Sequence, residues 1–372
     1  MLIGVDGNEA NVKTRVGVSV YTLKLLEYFH QQSSPSLQFI IFLKNPPLND
    51  LPLGNKNFSY QVVRGKFLWS QFFLPWFLLR NHFSSSKIDV FFSPAHYAPR
   101  FIFCPLVTTV HDLSYFYYPT EFLKKDLYQL KNWTGYSVKK SQKIICVSQS
   151  TKKDLQHYYH IPENKIQVIY NGFEKNIASP KTKINLNLPQ QKYLLYVGTI
   201  QPRKNILTLV RAFGNFQTKY PDFKLVIVGK KGWLWQDIYQ AINQVDYKEK
   251  IILTGFLDDY NLSILYSHAF CLVLPSFYEG FGIPVLEALS YKCPVICSST
   301  SSLPEVAGEA ALYFDPHNEL ELEEKLLLLN TDLKVREKLI NQGKERIKYF
   351  SWEKCGKETL NLLKKVYAKS HF

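Results

Sequence analysis

No run of uncharged apolar residues in this chain approaches the roughly 20 that a helix needs to cross a bilayer, so no membrane span is expected. No Cys-x-x-Cys pair occurs either. The 6 cysteines stand at 104, 146, 271, 293, 297 and 355, several inside apolar runs. A structural metal site or a disulfide framework is therefore not expected; buried, reduced thiols of a cytosolic protein are. Met1-Leu2-Ile3-Gly4-Val5-Asp6 leads straight into an apolar strand and a polar turn, so no signal peptide is expected. Internal repeats, long low-complexity segments and nucleic-acid-binding motifs are missing. Lys and Arg are scattered rather than clustered, which argues against a nucleic-acid partner.

What is present is a globular composition. The 372 residues are 46% hydrophobic and 15% aromatic, enough for two domains that each bury a core. The net charge is +14, of which +9 falls on residues 1–175 (20 Lys/Arg against 11 Asp/Glu). A basic first half suits an anionic lipid surface or an anionic acceptor, and equally a merely basic surface.

Short apolar runs alternate with amphipathic stretches, the pattern of parallel sheets covered by helices. Strands are predicted at 2–6, 39–43, 90–93, 106–111 and 143–148, then at 192–197, 224–228, 251–254, 269–274 and 295–298. Helices are predicted at 17–29, 205–219, 262–267, 285–291, 319–330 and 352–367. Each series reads as a Rossmann-like α/β unit. Asn171-Gly172 and the Asn/Pro/Lys-rich stretch after it place the boundary near 172–190. The expected division is 1–175, 176–351 and a terminal helix within 352–372.

The segment 66–80 is strongly apolar and aromatic with basic ends. It reads as a helix interrupted near Pro75, either lying in a membrane interface or forming a buried helical hairpin; the hairpin is the favoured reading.

The most informative stretch is 275–294. An apolar strand leads into Glu279, then Gly280-Phe281-Gly282, then Ile283-Pro284, with Glu287 eight residues after Glu279. Pro284 suits the first position of a helix. The free N–H groups there form an anion site for a diphosphate. Glu287, expected in the first turn, has a carboxylate that can accept two hydrogen bonds from a ribose diol. Glu279 points at whatever the phosphate carries. Arg203 and Lys204 stand where another strand gives way to a helix and can neutralise a diphosphate leaving group. His111 ends the strand 106–111, where it can hydrogen-bond a hydroxyl or stabilise charge. The layout fits a nucleotide diphosphate-sugar.

These residues resemble the retaining family 4 glycosyltransferases, with two glutamates eight apart around Gly-Phe-Gly, a His-Asp-Leu motif at 111–113 and an Arg-Lys pair. The resemblance covers almost the whole chain and is strongest over about 192–316. It implies a GT-B architecture: two Rossmann-like domains facing a cleft, with the last helix crossing back to the first. It assigns catalysis to His111 and Glu279, and the donor diphosphate to Arg203, Lys204, Gly17, Gly282 and Ile283. Gly280 and Phe281 are assigned to the donor sugar, Glu287 to ribose, and Phe256 and Leu257 to the base. There are departures. Thr199 stands where some relatives carry arginine, and in the loop at 16–20 Ser19 and Val20 replace a second glycine and an arginine. No Asp-x-Asp metal motif occurs, so no metal and no separate cofactor are expected; the nucleotide-sugar is a co-substrate.

The implied reaction is retaining transfer of a hexose to a saccharide or lipid-linked saccharide, in polysaccharide or glycolipid assembly. GDP-mannose is the first expected donor and UDP-glucose the second. The expected location is the cytoplasm, with possible peripheral contact with the anionic inner leaflet. Alternatives are an epimerase or hydrolase on a similar fold, a glycan phosphorylase or glycogen-type synthase, and a non-catalytic partner subunit that binds nucleotide-sugar or glycan. The Glu279/Glu287 pair argues against the first. The chain's length and the lack of a lysine-anchored cofactor signature argue against the second. The complete set of site residues argues against the third.

Overall fold

A computed structural model describes residues 1–65, 68–82, 87–175 and 192–371. Most of the expected boundary stretch, and Lys66 and Phe67 of the aromatic segment, lie outside the described residues. The chain divides into two units. One comprises Met1–Tyr117, Leu123–Gly172 and Phe350–Phe372; the other comprises Tyr118–Phe122 and Phe173–Tyr349.

The first unit holds seven strands: β1 (Leu2–Asp6), β2 (Gln38–Leu43), β3 (Phe58–Val62), β4 (Val90–Ser93), β5 (Leu106–Val110), β6 (Lys143–Cys146) and β7 (Ile166–Val168). They form one parallel sheet in the order β3-β2-β1-β4-β5-β6-β7. The central strands are buried on both faces, as helices covering a parallel sheet require. Ile3, Val5, Phe39, Ile41 and Phe92 meet Leu25, Leu26 and Phe29 of the helix Val18–Gln32 in one core. The terminal helix Trp352–His371 adds Cys355, Leu360, Leu363 and Val366 to that core. Gly356 allows the close approach: a Cβ there would fall 2.4 Å from the Tyr28 ring.

The second unit holds β8 (Tyr193–Val197), β9 (Lys224–Val228), β10 (Ile251–Gly255), β11 (Cys271–Leu274), β12 (Val295–Ser298) and β13 (Ala311–Phe314). The sheet is parallel, in the order β10-β9-β8-β11-β12-β13. In both sheets the strand order reverses once, between β1 and β4 and between β8 and β11. Open α/β sheets take ligands at the carboxyl ends of the strands flanking such a reversal.

Every predicted strand is present, with ends moved by a few residues. The sequence reading missed β3, β7 and β13, all edge strands, and β7 has only 3 residues. Helices at Lys124–Lys140, Trp235–Gln244 and Leu333–Arg346 were also unforeseen. The hairpin reading of 66–80 is corrected. The π-helical turn Trp69–Phe73 runs on into the helix Leu74–His82, with Pro75 at its start, where its missing N–H is tolerated. One face of this piece is buried and the other is exposed. Among the described residues no helix is long and apolar enough to cross a membrane.

Candidate active site

The second unit gathers Arg203, Lys204 and Glu279, three of its candidate site residues, at the β8/β11 reversal. After β8, the chain turns through Pro202–Lys204, and Asn205 ends the turn in the left-handed region (φ 55°) before the helix Ile206–Lys219. Asn205 Nδ2 donates to the carbonyls of Pro275 (3.0 Å) and Pro316 (2.7 Å), tying this turn to the one after β11. Arg203 Nη1 donates to the Tyr278 carbonyl (3.0 Å), and the Phe277 N–H donates to the Arg203 carbonyl (2.9 Å). The two turns are thus stitched to each other before any ligand is considered.

Glu279 lies at the centre of this arrangement and is buried. Its Oε1 accepts from Lys204 Nζ (2.5 Å) and Ser276 Oγ (2.7 Å). Burial alone would raise its carboxyl. The Lys204 and Arg203 cations and the two hydrogen bonds outweigh that and hold it below its ordinary value. The backbone is fixed as well: the Glu279 N–H donates to Ser301 Oγ (2.9 Å), and Ser302 Oγ lies 2.9 and 2.8 Å from the carbonyls of Glu279 and Phe281. The Phe281 side chain is buried, so this residue offers backbone rather than ring to the turn. Gly282 has φ 107°, which an L-residue strongly resists, and starts the helix Ile283–Ser290.

Glu287 sits in the second turn of that helix, not the first, because the helix begins at Ile283. Its Oε2 accepts from Tyr266 Oη (2.8 Å). Burial, only partly offset by this bond and aided by the Asp259 charge, pushes its carboxyl up to about 7. Of the two residues expected at the base, Leu257 is buried, while Phe256 is exposed with Lys230 Nζ 4.3 Å from its ring centroid.

Two models of known families match the chain. "Glycosyltransferase Family 4" covers residues 16–176 and "Glycosyl transferases group 1" covers 179–346. The O-antigen chain mannosyltransferase B of Escherichia coli is 32% identical over 268 residues, 69% of this chain and 70% of that protein. The chain belongs to glycosyltransferase family 4. A second relative of this glycosyltransferase, the O-antigen chain mannosyltransferase RfbU of Salmonella typhimurium, is 33% identical over 57% of each chain. Among solved structures, sucrose-phosphate synthase from Thermosynechococcus elongatus superposes with a TM-score of 0.76 at 19% identity over 99% of both chains. Anabaena HepE in complex with UDP-glucose gives 0.73 at 16%, over 98% of this chain and 99% of that one. At such identities these two likenesses show the shared fold.

In the first unit of the glycosyltransferase, His111 follows β5 and is buried. Its Nε2 lies 2.7 Å from the Pro94 carbonyl. A carbonyl can only accept, so Nε2 carries the proton and the neutral ring keeps Nδ1 as an acceptor. Burial and the neighbouring His96 push its pKa down to about 4, against the Pro94 bond and Asp112, so the ring is neutral at physiological pH. Asp112 caps the short helix Ser114–Tyr117 by accepting from the Ser114 N–H (3.0 Å). Gly17 starts the helix Val18–Gln32 at φ 51° with open space where a Cβ would be.

The sequence reading missed the partners that hold these groups. Ser276, Ser301 and Ser302 fix Glu279, and Tyr266 binds Glu287; nothing in their local sequence marks them. Glu121 was also missed. Burial raises its carboxyl although the Arg203 charge and backbone N–H, and Lys204 beyond, draw it down.

Proposed function

We propose that this glycosyltransferase moves a hexose, with retention at the anomeric carbon, from a nucleotide diphosphate-sugar to a saccharide or lipid-linked saccharide in polysaccharide or glycolipid assembly. The observation that carries the reading is the Arg203–Lys204–Glu279 cluster at the strand-order reversal, beside a glycine turn that opens a helix. Such a place combines two cations with the start of a helix and suits a departing diphosphate. Glu279, kept ionised, orients the sugar and faces the positive charge that grows at its anomeric carbon. With metal-free chemistry, Arg203 and Lys204 take the leaving-group charge, and a phosphate oxygen accepts the acceptor's proton. Glu287 binds ribose. Gly17, Gly282 and Ile283 approach the diphosphate, Gly280 and Phe281 the sugar, and Phe256 and Leu257 the base. His111 Nδ1 accepts from a sugar hydroxyl.

Mannose is the first choice of sugar, supported by the O-antigen mannosyltransferase names of the relatives from Escherichia coli and Salmonella typhimurium. Glucose is the second, supported by the UDP-glucose complex of HepE. The test is a donor screen by thermal shift and donor hydrolysis with EDTA present. It compares GDP-mannose, UDP-glucose, UDP-N-acetylglucosamine and their free diphosphates on wild type and Glu287→Ala. Stabilisation by one nucleotide family, lost in the variant, supports the reading and names the base. Stabilisation by none removes it. Binding without hydrolysis or transfer favours a non-catalytic partner subunit.

A further inference from the structure

We propose that Glu121 is a positioning residue for donor binding: from a strap that the first half of the chain contributes, it fixes the backbone of Arg203 and so sets where that guanidinium meets the diphosphate. It rests on the diphosphate role proposed above for Arg203 and adds a residue outside the motifs recognised in the sequence.

The strap is Tyr118–Phe122. It belongs to the second unit, although the chain on either side of it, up to Tyr117 and from Leu123, belongs to the first. Pro119–Glu121 forms a single 3₁₀ turn, in which the Glu121 N–H donates to the Tyr118 carbonyl (3.1 Å). Both ends of the strap are tied to the surroundings of Arg203 by aromatic contacts. Tyr118 stacks on Phe277 (ring centroids 6.2 Å apart, interplanar angle 23°), on which His317 also stacks (4.8 Å). The Phe277 N–H is the donor to the Arg203 carbonyl. Phe122 meets Trp233 edge to face (5.0 Å, 71°). Trp233 follows Gly232, whose N–H donates to the Ile200 carbonyl (2.9 Å). A Cβ on Gly232 would fall 2.6 Å from Thr199 Cγ2 and 2.9 Å from the Ile200 carbonyl oxygen, so a glycine lets this loop lie against the turn that carries Arg203.

Glu121 stands between those two ring contacts and is buried. Its carboxylate accepts from the Arg203 backbone N–H. The Arg203 residue is therefore held at its N–H by Glu121 and at its carbonyl by Phe277. Its head is held too. Nη1 donates to the Tyr278 carbonyl, and Gln201, with its amide oxygen turned to the guanidinium, accepts from Nε (2.8 Å) and Nη2 (3.1 Å). An arginine fixed in this way gives up little freedom when it receives an anion. Glu121 has two opposed effects on that anion. Its charge repels a diphosphate, while its hydrogen bond places the cation that receives it. Glutamine keeps the acceptor and removes the charge, so substitution separates the two.

The experiment is calorimetric and thermal-shift titration of the full chain with GDP and UDP, and with guanosine and uridine, on wild type, Glu121→Ala, Glu121→Gln, Arg203→Ala and the double alanine variant. Whichever nucleoside diphosphate binds wild type is expected to bind Glu121→Ala on the order of tenfold more weakly. The matching nucleoside, which lacks the diphosphate, should bind both equally. Glu121→Gln should bind the diphosphate at least as tightly as wild type. In the Arg203→Ala background, Glu121→Ala should change binding by less than about twofold, because its effect passes through Arg203. If Glu121→Ala fails to fold, Glu121→Asp, one methylene shorter, is expected to lose the same bond and takes its place. Unchanged diphosphate binding by the folded variant, a glutamine variant as weak as alanine, equal loss of nucleoside, or an additive double variant would overturn the proposal and leave the transferase reading standing. Binding of neither diphosphate to wild type would remove that reading and this inference with it.

Discussion

Lys204 Nζ and Glu279 Oε1 lie 2.5 Å apart, with side chains only 12% and 11% exposed. The two residues are 75 positions apart in sequence and come from the turns after β8 and β11. Their pairing holds the two turns in register and neutralises each group. Under the diphosphate role proposed above, a donor would compete with Glu279 for the lysine.

Removing one member leaves the other charged and buried. Lys204→Ala and Glu279→Ala are each expected to lower stability by about 3–5 kcal/mol in urea unfolding. Lys204→Met combined with Glu279→Leu should cost clearly less than the sum of the two single changes. An additive result would show that the pair is not energetically coupled.

Glu287 gives a pH dependence with a definite sign. Its folded pKa of about 7 lies above the ordinary glutamate value of 4.5, so the folded chain holds more protons in that window. Its contribution to stability is full below pH 4.5 and is lost as pH rises through 7. Under the ribose role proposed for Glu287, nucleotide binding should run the opposite way, strengthening as pH rises through 7 and releasing a proton. Calorimetry in two buffers of different ionisation enthalpy measures that proton. Glu287→Gln should abolish both the release and the pH slope.

His111 titrates in the other direction. Its folded pKa of about 4 lies below the ordinary histidine value of 6.5, so the unfolded chain binds more protons between them. Stability should therefore fall as pH drops from 6.5 toward 4 and be flat above 6.5. His111→Gln can keep the bond to the Pro94 carbonyl but loses the Nδ1 acceptor. It is expected to fold normally and lose about 100-fold in transfer rate. A folded His111→Gln enzyme with full transfer would refute the assigned acceptor role.

Gly282→Ala should damage both fold and site. At φ 107° the new Cβ is strained, and it would fall 2.8 Å from Leu303 Cδ2. A loss of at least about 1–2 kcal/mol is expected in thermal or urea unfolding. Donor stabilisation in a thermal-shift assay should weaken with it.

Much of the fold was legible because parallel strands buried on both faces leave continuous apolar runs, as at 271–274 and 295–298. Edge strands lack that signature: Phe58–Val62 is half polar and Ile166–Val168 is too short to stand out. The segment 66–80 misled for a related reason. The unbroken apolar run at 72–79 hid a two-sided helix, and only the placement of Trp69, Leu74 and Leu78 in the core showed which side stays outside.

The sequence by itself determined the local chemistry. A strand, a glycine turn and a helix start are set by neighbours a few residues apart, so Glu279, Gly282, Arg203 and Lys204 could be picked out with no coordinates. Tertiary structure decided what those groups are. Glu279 is ionised because Lys204, Arg203 and Ser276 reach it, Glu287 is shifted upward because burial outweighs the Tyr266 hydrogen bond, and His111 has one tautomer because the Pro94 carbonyl faces it. Each depends on a partner brought from elsewhere in the chain or on exclusion of water, and neither is written in the spacing of a motif.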